Sequence, residues 1–126
     1  MVLGKKQILV VLAAFISSGM ICMASVASIN MHHKGNHGTH NEYYIPADMP
    51  VVYFDSDEME IIIVADGFAN YYTVEVISMV SDQTLIYTQI DGYGDTIDVS
   101  SLPDAYYEII ITSSNNNVFE GTFLIE

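Results

Sequence analysis

Four histidines, His32, His33, His37 and His40, lie within nine residues, and neutral imidazole is the commonest protein ligand for Zn, Cu or Ni. Their spacing is His-His-x3-His-x2-His, in a Gly-containing stretch with no carboxylate before Glu42. A closed structural zinc site needs ligands held by turns or a helix, so this pattern suits weak, loose scavenging of Zn, Cu or Ni. No other cofactor is indicated. Two acidic loops, Asp55-Ser56-Asp57-Glu58 and Asp91-Gly92-Tyr93-Gly94-Asp95 through Asp98, hold hard oxygen ligands, yet neither has the rhythm of a calcium loop and both read as solvated turns. Nine tyrosines include the pairs Tyr43-Tyr44, Tyr71-Tyr72 and Tyr106-Tyr107. On a strand, neighbouring side chains face opposite ways, so Tyr72 and Tyr107 are expected in the core while Tyr71 and Tyr106 form a contact surface for a sugar or a protein. Hydrolytic chemistry has no material: without Cys, Arg or His in the expected domain, neither a Ser-His-Asp nor a Cys-His arrangement can be drawn. The chain is expected not to be an enzyme.

Charge narrows the partners. The 126 residues carry 16 Asp and Glu against 3 Lys and no Arg, and every acid lies at or after Glu42. Lys5 and Lys6 precede an apolar run from Ile8 to Met23 that ends in small residues, the pattern of a secretory signal peptide over 1–27 with Ser25-Val26-Ala27 as the expected cleavage site. The run is 16 residues, short of the ~20 that cross a bilayer, and bulky Ile21 before Cys22 argues against a lipid anchor. Removing 1–27 leaves Lys34 alone against the sixteen acids, a side-chain charge of −15 (1 − 16), and no Cys. Such a chain cannot displace counterions from nucleic acid or grip a phosphate, so its expected partner is a cationic or neutral protein or glycan outside the cytoplasm, with no membrane insertion after cleavage. The expected destination is the periplasm, the cell surface or the medium.

The elements that would position these residues are strands. Residues 28–41 are small, polar and His-rich and are expected to form a flexible leader, with the folded domain over 42–126. There, runs rich in Ile, Val, Tyr and Thr recur about every ten residues between Gly, Asp, Asn and Pro clusters, predicting seven strands: 51–54, 59–65, 71–79, 84–90, 96–99, 106–112 and 118–125. A single seven-stranded sheet would leave one apolar face bare, so two packed antiparallel sheets are expected. The first strand, Val51-Val52-Tyr53-Phe54, is an edge guarded only by Pro50. Val52 and Tyr53 are therefore expected at an interaction edge, covered by residues around Tyr43–Ile45 or open to self-association.

Leu102-Pro103-Asp104-Ala105-Tyr106-Tyr107-Glu108-Ile109-Ile110-Ile111, followed by Phe119-Glu120-Gly121-Thr122-Phe123-Leu124-Ile125, resembles the end of a small family of exported domains of unknown function from Bacteroides-type gut bacteria. Leu102, Tyr107, Ile109, Ile111, Gly121, Phe123 and Ile125 match that pattern, and Ala105 stands where the family usually has Gly. The resemblance implies an immunoglobulin-like β-sandwich behind a signal peptide and carries no catalytic residues across. The expected function is that of an exported, non-catalytic binding or interaction module. The alternative is transition-metal binding through the His-rich leader.

Overall fold

Alternation of buried and more open side chains runs along most of the long strands. The computed structural model describes residues 25–34 and 45–126. Nine strands occur there: β1 (Val26–Ile29), β2 (His32–His33), β3 (Val51–Asp55), β4 (Glu60–Val64), β5 (Tyr71–Ser78), β6 (Thr84–Asp91), β7 (Gly94–Asp98), β8 (Ala105–Ser113) and β9 (Val118–Ile125). They form two antiparallel sheets, of order β1-β3-β4-β7 and β2-β9-β8-β5-β6. This is the expected all-β sandwich. The inward residues are those the alternation picks out: Tyr72, Val74 and Val76 on β5, Tyr107, Ile109 and Ile111 on β8, and Phe119, Phe123 and Ile125 on β9, all buried. They meet Val52, Phe54, Ile61 and Ile63 of the other sheet in one core. Phe123 joins the layers, its ring centroid 5.4 Å from that of Phe54 and 5.7 Å from that of Tyr107.

Two features lock the ends. The Tyr107 hydroxyl donates to the Pro103 carbonyl at 2.5 Å, four residues upstream, the tyrosine corner by which many immunoglobulin-like sandwiches close the approach to this strand. At the β6 to β7 crossing, Gly94 has φ 103, and a Cβ there would stand 2.0 Å from the Ile63 carbonyl oxygen, so only glycine fits.

The N-terminal side departs from expectation. Residues 28–41 are expected to form a flexible leader, yet Val26–Ile29 pairs with the β3 edge and His32–His33 with the β9 edge, while 35–41 lie outside the described residues. Between them the chain crosses from one sheet to the other and buries Ile29 and Met31 in the core. The folded unit therefore includes residues 26–33 as well as the stretch expected to begin at 42. A short Ile29-x-Met31-x-His33 alternation is the only local sign of this. The driving force is tertiary: β3 and β9 each present a row of backbone groups that a further strand satisfies. Gly121 makes the room, since a Cβ there would lie 2.8 Å from Met31 Sδ, 2.9 Å from the Asn30 carbonyl oxygen and 2.9 Å from Ile29 Cγ2. The β3 edge is thus covered by residues 26–29; Tyr43 and Tyr44, expected to cover it, lie outside the described residues.

Candidate interaction surface

The side of the five-stranded sheet that faces away from the core is built by residues of odd number on β5 and even number on β8 and β9. Directly paired residues of antiparallel strands point to the same side. Register therefore lines up one row across the whole sheet: His32 on β2 opposite Glu120, Glu120 opposite Ile110, Ile110 opposite Glu75, and Glu75 opposite Tyr87 on β6. Neighbouring rows place Thr122, Glu108 and Ile77 together, and Leu124 beside Tyr106. Tyr106 is 59% exposed, and Tyr71 also stands out from the face. Glu75, Glu108, Glu120 and Asp91 are its charges, and no Lys or Arg lies on these four long strands. A hollow of about 280 Å³ opens at one margin, lined by Asn30, His32, Glu108, Glu120, Gly121 and Thr122. It forms because β2 is two residues long and stops short of covering β9. Carboxylates, flat aromatic rings and a shallow concavity make a surface fit for cationic and apolar groups together.

The shifted titrations lie at the two ends of the sandwich. Burial pushes the Asp48 carboxyl up, but hydrogen bonds from Ser113, Asn115 and Asn117 outweigh it and hold the group below its ordinary value. Asn115 Nδ2 donates to Asp48 Oδ2 at 3.0 Å and Asn117 Nδ2 to Asp48 Oδ1 at 3.0 Å, while the Tyr72 hydroxyl donates to the Asp48 carbonyl at 2.6 Å. Burial, with the charges of Asp48 and Asp66, pushes Tyr72 up to about 12. This network ties residues 45–50 to the β8–β9 hairpin, where Asn116 takes φ 67, a conformation Asn tolerates. At the other end Glu60 stands between Asp55 and Asp98 in one cross-strand row. Burial, then repulsion from Glu58, Asp55 and Asp98, raises its carboxyl against a lowering bond from Thr96.

The expected site residues separate. Tyr71 and Tyr106 are on the outer face, as alternation implied. Val52 is 1% exposed and packs inward opposite Ile63, so it cannot form an interaction surface. Every residue of that strand is apolar or aromatic up to Phe54, and alternation by itself cannot say which half turns in. Tyr53 is half-buried between Ser28 of β1 and Ile62 of β4. His32 and His33, adjacent on β2, project to opposite faces: His32 lines the hollow, while the His33 ring packs 5.5 Å from that of Phe119. The two cannot ligate one ion without β2 leaving the sheet. His37 and His40 lie outside the described residues. Among the described residues no group of three or more His, Cys, Asp or Glu is placed to hold a metal. The acidic loops act as turns, Asp55 Oδ1 accepting from the Asp57 and Glu58 amides and Asp91 Oδ1 from the Tyr93 amide. The glutamates of the outer face were not foreseen, because only register brings Glu75, Glu108 and Glu120 together.

No protein-family model and no curated protein matches the chain. Among solved structures the fold is similar to that of a DUF3244 family protein with an immunoglobulin-like β-sandwich fold from Bacteroides vulgatus ATCC 8482. The TM-score is 0.63 and the identity 15%, with 80% of this chain and 99% of that chain covered. At that identity the likeness shows the fold, which is immunoglobulin-like here as well.

Proposed function

We propose that this chain is an exported, non-catalytic binding domain, a member of the Bacteroides-type family of unknown function that its C-terminal strands resemble. Its outer five-stranded face meets a cationic partner outside the cytoplasm. The observation that carries this reading is the exposure of Tyr71 and Tyr106 on a face whose charges are Glu75, Glu108, Glu120 and Asp91, with no basic residue on its long strands. In this reading the hollow beside His32 accepts a Lys or Arg tip between Glu108 and Glu120, and the tyrosines supply apolar contact. Structural neighbourhood with an immunoglobulin-like domain of unknown function supports a module without chemistry of its own.

Export needs a cleavage that spares β1. The Ser25 carbonyl accepts the Ser56 amide at 2.9 Å and the Ser56 hydroxyl at 3.0 Å, and β1 starts at the next residue. Cleavage after Ala27 would remove half of β1. Cleavage after Ala24, with small Cys22 two positions before it, keeps the strand whole. The binding reading is tested by capture of partners from the native envelope with wild type, with Tyr106→Ser combined with Glu108→Gln, and with Asp57→Asn in the β3–β4 turn of the other sheet as control. A partner held by wild type and control, lost from the face variant and weakened by high salt is expected. Retention by the face variant refutes the assignment.

A further inference from the structure

Among the described residues, four strands end the two sheets: β1 and β7 in one, β2 and β6 in the other. Three of these edges are short or charged. β1 has four residues and β2 two, while β7 has five and carries Asp95 and Asp98. β6 is different. It has eight residues, pairs among the described residues with β5 alone, and runs Thr84-Leu85-Ile86-Tyr87-Thr88-Gln89-Ile90 without a charge or a proline before its last residue, Asp91. Tyr87 is 71% exposed, and Val80 in the turn leading into the strand is 85% exposed, with Met79 and Leu85 also open to solvent. Edge strands of soluble proteins are ordinarily blunted by Lys, Pro or inward charge. Here the register shift beside Leu85 is the one such device, and residues Ile86–Ile90 beyond it pair regularly with β5.

We propose that β6 is a self-recognition edge, at which a second copy of this chain adds its own β6 antiparallel about a two-fold axis. Self-pairing is favoured over a foreign strand because the run is self-complementary. With the axis at Tyr87, 85 faces 89 and 86 faces 88, so beyond the register shift inward-turned Ile86 meets inward-turned Thr88 and no charge faces another. An acidic chain of net charge −13 repels its copies at a distance, and an uncharged edge is where that repulsion is least. The pairing closes, as a two-fold contact must, and stops at a dimer. It joins two five-stranded sheets edge to edge and sets their outer faces side by side, which gives a partner with repeated cationic sites two points of attachment. The strip is small beside the ~1,200–2,000 Å² of a standard interface, so the dimer is weak.

Sedimentation equilibrium on the protein purified from its host tests this at low salt (~0.01 M, Debye length ~30 Å) and high salt (~1 M, ~3 Å). Reversible dimerisation that tightens with salt is expected, weakened about tenfold or more by Tyr87→Lys and unaffected by Tyr106→Lys, which lies on the same face away from the edge. Hydrogen exchange on wild type gives a reading that needs no variant, since amides of residues 86–90 should gain protection as concentration rises. A monomer at every concentration and salt overturns the proposal. So does a dimer abolished by Tyr106→Lys but not by Tyr87→Lys, or protection at 86–90 that appears only on adding another protein. Capture of a cationic partner by the outer face has a separate readout, so either reading can fail alone.

Discussion

Replacing Gly121 with Ala asks whether residues 26–33 are seated as firmly as the geometry requires. Gly121 is not among the glycines of positive φ, so Ala strains nothing in its own strand. The added methyl falls 2.8 Å from Met31 Sδ and 2.9 Å from both the Asn30 carbonyl oxygen and Ile29 Cγ2, against the ~3.5–4.0 Å of an optimal contact. The thioether can swing away, but the backbone carbonyl cannot. If the segment stays and shifts, overpacking costs about 1–3 kcal/mol. If it leaves, the exposure of Ile29 and Met31 costs roughly 3–6 kcal/mol, at ~1.5–3 kcal/mol per side chain. The cheaper route decides, so the expected loss is about 1–3 kcal/mol, with Tm falling by ~4–8 °C per kcal/mol. Hydrogen exchange locates the damage. Amides of Val26–Ile29, and that of Lys34, which donates to the Val118 carbonyl at 2.8 Å, should lose protection while β5 and β8 keep theirs. Met31→Ala removes one of the three close contacts, so adding Gly121→Ala to it should cost less than Gly121→Ala alone. An unchanged Tm with full protection over 26–29, or strict additivity of the two changes, would show that the slot is slack and refute the reasoning.

Asp48→Asn should cost about 1.5–3 kcal/mol at neutral pH, because charge-assisted bonds from Asn115 and Asn117 are lost. The native carboxyl is held below its ordinary value, so its contribution is complete above about pH 4 and fades as pH falls through the lowered value. Chemical denaturation from neutral to acid pH should therefore show the two proteins converging at the acid end. Glu60→Gln should act oppositely and stabilise by a few tenths to about 1 kcal/mol at neutral pH. The Glu60 carboxyl is raised above its ordinary 4.5, so its ionised form disfavours folding, and the gain should shrink as pH falls toward that value. The proposed export is checked by intact-mass analysis of the protein purified from its host, which should find Ser25 as its first residue. A chain beginning at Ser28 would contradict a stable β1.

Alternation is a property of each strand alone, and it was legible along the chain. Tyr72, Val74 and Val76 against Thr73 and Glu75, and Tyr107, Ile109 and Ile111 against Tyr106 and Glu108, name their own inner and outer faces, because successive side chains leave a pleated backbone on opposite sides. Turn chemistry at Asn115–Asn117 was equally local. Tertiary structure alone decided which edges remain open. That β1 and β2 close the β3 and β9 edges depends on a slot at Gly121 some ninety residues away in sequence. The burial of Val52 depends on its pairing with Ile63 in a strand that is apolar on both sides. The row from His32 through Glu120, Ile110 and Glu75 to Tyr87 exists only once five strands have taken one order and one register. Register couples residues far apart along the chain through hydrogen bonds that any sequence can make, so the side chains carry no local mark of which distant strand they will face.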